Sequence, residues 1–143
     1  APAFPLDARV ESVTVNDRPA VFEVREEGDL QCVRIRVPVA GPTTMRYRMR
    51  PGTDVYVAPE PLVPGMDNRG LRVLRVRAAS DSLLLVLEGR VGRSYTLQVR
   101  TPRRVQAVEG VMLSPEPGGY RLQVRFEGEG AGYVRRPLRL PLE

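Results

Sequence analysis

The residues with the most evident chemistry lie close together, between positions 51 and 70. They are one aromatic residue and several polar ones: Asp54, Tyr56, Glu60, Asp67, Asn68 and Arg69. A sugar site needs an exposed aromatic ring, which stacks on C–H groups, and a few planar polar groups, which bind hydroxyls. Tyr56 can supply the ring, and the polar groups would come from Asp54, Asp67, Asn68 and Arg69. The alternative is structural: Tyr56 packs down as the anchor of a loop whose polar side chains stabilise turns.

Three of these residues also offer the oxygen ligands that calcium prefers, namely Asp54, Asp67 and Asn68. Their spacing is not that of an EF-hand loop. We therefore predict no metal site and no cofactor, and keep calcium on these three residues as the alternative.

Three residue types are missing, because the chain has no histidine, no tryptophan and no lysine among its 143 residues. Without histidine there is no Ser-His-Asp triad and no imidazole metal ligand. Without lysine there is no Schiff base and no P-loop lysine. The single cysteine, Cys32, cannot form an internal disulfide and is expected to be a packed, inert thiol. Carboxylate pairs remain, but no spacing singles one out, so we predict a protein that is not an enzyme.

All 22 basic residues are arginine, and with 17 acids the net charge is +5. Ten of the arginines fall on the outward faces of predicted strands: Arg34, Arg36, Arg46, Arg48, Arg50, Arg72, Arg75, Arg77, Arg121 and Arg125. Such a field of guanidinium groups suits phosphate, sulfate or uronate. The alternative is a solvated surface laced with salt bridges. Nucleic acid is not expected, because the aromatic residues of these strands fall on the apolar faces instead.

Alternation of apolar and polar residues dominates the chain and predicts half-buried strands at 30–37, 43–50, 94–100 and 120–127. Weaker strands are predicted at 9–15, 20–25, 54–58, 71–77, 83–88, 104–109 and 133–140. The apolar run from Leu83 to Leu87 predicts a central strand covered on both sides, and a change of face after Val73 predicts a bulge. The fold class is therefore all-β, with about nine to eleven strands in an antiparallel two-sheet β-sandwich.

The segment 51–70 is the main break in this rhythm, with four prolines and three glycines. We expect a single domain over residues 1–143, with a possible internal boundary in this segment. The alternative is two small packed β units, 1–50 and 71–143. A short similarity between 9–13 and 104–108 would fit an internal duplication.

Two stretches carry a resemblance to a known family. Residues 10–19, VESVTVNDRP, resemble the V-x-S-V-x-V-N-G-x-P opening of accessory β-sandwich domains at the C-terminal end of bacterial glycoside hydrolases, with Asp17 in place of the glycine. Residues 87–97 resemble a hairpin of the same domains. The resemblance implies an immunoglobulin-like or fibronectin-like fold in a secreted polysaccharide-processing protein, and it carries over no catalytic residue.

The expected function is a non-catalytic accessory module of such an exported protein, binding polysaccharide or packing against a catalytic domain of the same parent chain. The alternative is an arginine-rich module that binds an anionic polymer, an acidic polysaccharide or a nucleic acid, by electrostatic attraction. We expect a secreted, cell-surface or periplasmic location. No apolar run reaches the roughly 18 residues of a membrane helix, so no membrane partner is expected. The N-terminus lacks the pattern of a signal peptide and is expected to be that of a mature protein or an excised domain.

Overall fold

The computed structural model describes residues 1–38, 40–59, 61, 63–65 and 69–143. Over these residues the chain is all-β and contains no helix. Its strands are β1 (Ala3–Pro5), β2 (Arg9–Val15), β3 (Arg18–Pro19), β4 (Phe22–Glu27), β5 (Leu30–Ile35), β6 (Met45–Arg50), β7 (Asp54–Tyr56), β8 (Arg72–Ala78), β9 (Ser82–Arg90), β10 (Ser94–Arg100), β11 (Val111–Glu116), β12 (Gly119–Arg125) and β13 (Tyr133–Pro141). The thirteen strands exceed the number predicted because several, such as β1 and β3, are very short.

The strands pair only in antiparallel fashion, in four sheets. Sheet I has the order β1-β5-β4, and sheet II has the order β3-β2-β6. Sheet III has the order β11-β12-β10-β7, and sheet IV has the order β13-β9-β8. The first 50 residues therefore form sheets I and II, and the rest of the chain forms sheets III and IV.

The main hydrophobic core draws its side chains from sheets III and IV. Leu83, Leu85 and Leu87 of β9 meet inward residues of β10 and β12 such as Leu97 and Leu122, all of them essentially inaccessible to solvent. Strand β9 is central in sheet IV, as the apolar run predicts. Its second face is only half-buried, however, so the expectation that it is covered on both sides is wrong.

Sheets I and II bury far less. Among their apolar residues Ala8, Val13 and Val33 are buried, together with the polar Gln31. The Gln31 side chain donates a hydrogen bond to the carbonyl of Pro5, 2.7 Å away, and a second to the carbonyl of Ala8. Burying an amide without loss requires such partners, and these two tie β5 to the segment after β1.

Two local features of the fold follow from residue type and strand register. Asn16 and Asp17 both have positive φ, 49° and 63°, as the two central residues of a tight hairpin require. The predicted bulge is present, because the register of β8 against β9 shifts between Val73 and Arg75.

Near residue 110 one predicted strand is absent and one strand is present that the alternation does not predict. Residues 104–109 form no strand, only an isolated bridge from Val105 to Leu142, so they give the similarity to 9–13 no structural support. Residues 111–116 form strand β11, which contains Pro115. Proline is tolerated there because β11 is the edge of sheet III, where one side of the backbone needs no partner.

Candidate functional site

Two of the predicted site residues lie side by side on one surface. Asp54 and Tyr56 belong to β7, the last strand of sheet III, and Val55 between them packs against the core. Because side chains alternate along a strand, Asp54 and Tyr56 both face away from the core. Asp54 is exposed and Tyr56 is half-buried.

Of the other predicted residues, the structure describes only Arg69. Asp67, Asn68 and Glu60 lie outside the described residues. Arg69 precedes β8, and its backbone carbonyl accepts a hydrogen bond from the Tyr95 hydroxyl at 2.8 Å. The ring of Tyr95 belongs to the core, so this carbonyl lies on the inner side of sheet III, whereas Tyr56 faces outward.

The residue before β7, Thr53, is held in place by a network of hydrogen bonds. The Asp7 carboxylate accepts hydrogen bonds from the backbone N–H of Thr53, at 2.8 Å, and from its hydroxyl, at 2.7 Å. Gly52 is required beside it, because a Cβ there would collide with Asp7 and with the backbone of Ala8. These contacts position the strand that carries Asp54 and Tyr56.

The outer face of sheet III arranges its side chains in two rows. Pairing of β7, β10, β12 and β11 brings residues of four strands into line. The first row is Tyr56, Gln98, Arg121 and Ser114; the second row is Asp54, Arg100, Gly119 and Glu116. An aromatic ring therefore stands at one end of a line of planar amide and guanidinium groups.

A shallow depression of about 200 Å³ lies within these rows, bordered by Tyr56, Gln98, Arg100 and Glu116. Gly119 also borders it, and glycine is required at this position because a Cβ would collide with the backbone carbonyl of Val99. We call the two rows together with this depression the outer face of sheet III.

The two arginines of this face, Arg100 and Arg121, have different partners. The guanidinium carbon of Arg100 lies 4.9 Å from the centroid of the Tyr56 ring, a cation–π contact. Arg121 forms an ion pair with Glu116. Arg100 makes no ion pair with any carboxylate in the part of the chain that the structure describes. The face thus offers one ring, one amide and one uncompensated guanidinium.

Sequence reasoning missed Gln98 and Arg100 as members of the site and assigned Arg121 only to the arginine faces. Alternation along 94–100 and 120–127 identifies all three as outward-facing. Their alignment with Tyr56 depends on strand pairing between distant segments, for which the sequence carries no local signal.

The outward arginines are mostly neutralised. Of the ten that the sequence singles out, nine lie within 4 Å of a carboxylate, and Arg36 is the exception among the described residues. Glu11 alone binds both Arg48 and Arg50. This arrangement matches the alternative of a surface laced with salt bridges, and it leaves little free positive charge on those strands.

Three further findings concern the reactivity of the cysteine, metal binding and membrane crossing. Burial raises the pKa of the half-buried Cys32 thiol, with Glu27 adding to the effect, which disfavours the reactive thiolate. Within the described ranges no group of three or more histidine, cysteine, aspartate or glutamate residues could hold a metal ion. A search of the same residues finds no helix long and apolar enough to cross a membrane.

No protein-family model matches the chain, and no curated protein or solved structure matches it significantly.

Proposed function

We propose that this chain is a non-catalytic module that binds polysaccharide on the outer face of sheet III. The observation that carries the proposal is the position of Tyr56, which faces outward in line with Gln98 and Arg121 beside the depression over Gly119. Proteins that bind sugars without reacting with them use an aromatic ring that stacks on the sugar and planar polar side chains that form hydrogen bonds with its hydroxyl groups.

The binding mode follows from these groups. The Tyr56 ring would contact the C–H face of a sugar that enters the depression. Gln98 can both donate to and accept from hydroxyl groups, whereas the Arg100 guanidinium only donates and the Asp54 carboxylate only accepts. Arg100 also holds the Tyr56 ring by its cation–π contact, which limits the entropy lost when a sugar orders the site.

We further propose that sheets III and IV form a β-sandwich of the immunoglobulin-like or fibronectin-like kind, in an exported protein whose other parts act on polysaccharide. The shared core of the two sheets supports the sandwich. The resemblance of residues 10–19 and 87–97 to accessory domains of glycoside hydrolases supports the rest.

Affinity gel electrophoresis against a panel of soluble polysaccharides tests the binding. Tyr56→Ala should abolish the retardation of the wild-type protein by any polysaccharide that binds it. Tyr133→Ala is the matched control, because Tyr133 on sheet IV also carries an arginine over its ring, with Arg72 at 4.3 Å. Equal retardation of wild type and Tyr56→Ala contradicts the proposal, as does a wild type that no polysaccharide retards.

The competing function is electrostatic binding of an anionic polymer by the arginine faces. The uncompensated Arg100 is the one observation on the outer face of sheet III that favours it. Binding through several arginines should weaken steeply between about 50 and 200 mM salt. Binding of a neutral sugar through Tyr56 should change little over that range, so a steep salt dependence decides for the alternative.

A further inference from the structure

A second concave surface lies in the N-terminal part of the chain, between residues 15 and 37. It is a groove of about 570 Å³, bordered by the β2–β3 hairpin, the connection to β4, and the outward side chains of β4 and β5. Its apolar lining includes Val15, Val21, Phe22 and Val37. We call this surface the N-terminal groove.

The apolar lining is unusually accessible. Val21 is 93 % exposed, the most exposed of the large apolar residues that the structure describes. It lies in the connection between sheets II and I, next to the half-buried Phe22. Another molecule that covers Val21 and Phe22 would remove their apolar surface from water, which favours binding.

The rim of the N-terminal groove is positive. Four arginines border it, Arg18, Arg25, Arg34 and Arg36, against one acid, Glu23. Arg25 already binds Glu23 at 2.8 Å, and Arg34 binds Glu27 at 2.6 Å. Arg18 and Arg36 form no ion pair with a carboxylate in the described ranges, so two positive charges remain over an apolar surface.

The backbone beside the groove is also open. Strand β4 ends sheet I, and on its second side it pairs with no described strand. An edge strand offers N–H and C=O groups to an extended segment of another protein, which then adds as a further strand. An acyl chain cannot use these groups, which favours a peptide over a lipid-like anion.

We propose that the N-terminal groove binds an extended, acidic segment of a partner protein along the edge of β4. Apolar side chains of that segment cover Val21 and Phe22, and its carboxylates pair with Arg18 and Arg36. The proposal is independent of sugar binding, because it uses sheets I and II and not the outer face of sheet III.

The test uses fluorescence anisotropy with a labelled peptide of about eight residues that repeats Val-Val-Glu-Glu, so that each face of the extended strand carries both valine and glutamate. The full chain should bind this peptide, and it should not bind the matched peptide that has lysine in place of glutamate. The double variant Arg18→Ala/Arg36→Ala should weaken binding at least about tenfold. The control Arg9→Ala/Arg93→Ala removes the same charge from exposed arginines that have no carboxylate partner in the described chain, and it should weaken binding by no more than about twofold.

Two further measurements complete the test. Val21→Asp should abolish binding without unfolding the chain, because the side chain is almost fully exposed. Hydrogen exchange should show that the peptide protects backbone amides of β4, and Tyr56→Ala should leave peptide binding unchanged. Equal weakening by both double variants, absence of β4 protection, capture of decanoate in place of the peptide, or a wild type that binds neither peptide would each overturn the proposal.

Discussion

Asp29 accepts two hydrogen bonds from the guanidinium of Arg75, from Nε at 2.7 Å and from Nη2 at 2.8 Å. Asp29 lies in the turn between β4 and β5, and Arg75 lies at the bulge of β8. Arg77 adds a bond of 2.7 Å to the carbonyl of Gly28 in the same turn. The turn of sheet I is thereby fastened to the edge of sheet IV. The pair also lowers the pKa of Asp29 and raises that of Arg75, each chiefly through their shared hydrogen bonds.

The first prediction concerns this two-point contact. Asp29→Asn keeps the size of the side chain but removes its charge, and Arg75→Lys replaces the planar fork with a single ammonium group. Each should lower the melting temperature by a few degrees and speed proteolytic cleavage of the β4–β5 turn. Thermal unfolding followed by circular dichroism, with limited proteolysis, measures both.

Asp17→Asn is the control for that prediction. The Asp17 side chain is 75 % exposed in its pair with Arg46, compared with 25 % for Asp29 with Arg75. Exposed pairs contribute little, and asparagine tolerates the positive φ of Asp17. A melting temperature that falls equally for Asp17→Asn and Asp29→Asn would show that the contact between sheets I and IV has no special weight.

The outer face of sheet III shows which features of the candidate site can be predicted from the sequence. Alternation places Leu97 and Val99 inward and Gln98 and Arg100 outward, and the structure agrees. Alternation does not predict which residue pairs with Gln98 on the neighbouring strand. Its partner Tyr56 is separated from it by most of the proline-rich segment and by strands β8 and β9, and antiparallel pairing over that distance is decided by tertiary packing.

The second prediction concerns Thr53, the buried threonine that directly precedes β7. Thr53 has one hydroxyl hydrogen, and it donates this to Asp7, so the Thr101 hydroxyl must donate to Thr53 across their 2.8 Å contact. Thr101 in turn accepts from the backbone N–H of Arg103 at 3.1 Å. A directed chain of hydrogen bonds thus links the segment after β1 to the end of β10.

Thr53→Val keeps the shape and removes the central hydroxyl of this chain. It should reduce the free energy of unfolding by about 1–3 kcal/mol, because the partners of a 1 % exposed group lose their bonds without gaining water. Urea denaturation measures the change. Thr44→Val, at an exposed position, should change it by less than about 0.5 kcal/mol, and equal effects would contradict the role of the network.

The third prediction concerns Gly89, the only glycine of β9, one residue before the strand ends. A Cβ there would lie 2.7 Å from the ring of Phe126 and 2.8 Å from the ring of Tyr95. These two rings pack edge to face with centroids 5.6 Å apart, so neither can move without disturbing the other. Gly89→Ala should therefore cost about 1–3 kcal/mol of unfolding free energy by overpacking.

Gly41→Ala is the matched control, because a Cβ at Gly41 meets nothing within 4 Å and its φ is not positive. It should leave the urea midpoint unchanged or raise it slightly, since alanine restricts the unfolded chain. If Gly89→Ala is as stable as Gly41→Ala, the aromatic pair makes room for a methyl group, which contradicts the prediction.

The last prediction concerns Glu88, which stands between two arginines in register across sheet IV. Its carboxylate accepts from Arg72 at 2.8 Å and from Arg135 at 3.2 Å, and its side chain is 15 % exposed. Arg135 first, and then Arg72, hold the pKa of Glu88 below its ordinary value of 4.5. A lowered pKa in the folded state means that the pair stabilises the fold above pH 4.5, and that this stability is lost as the pH falls through the folded value.

Glu88→Gln should therefore melt below the wild type at pH 7, and the gap between their melting temperatures should close as the pH falls toward about 3. Thermal unfolding at half-unit steps of pH measures both curves. Glu127→Gln is the control, since its carboxylate is 84 % exposed and lies 3.9 Å from Arg125, and it should follow the wild type throughout. Parallel curves for wild type and Glu88→Gln from pH 7 to pH 3 would show that the bridge across β8, β9 and β13 contributes nothing to acid stability.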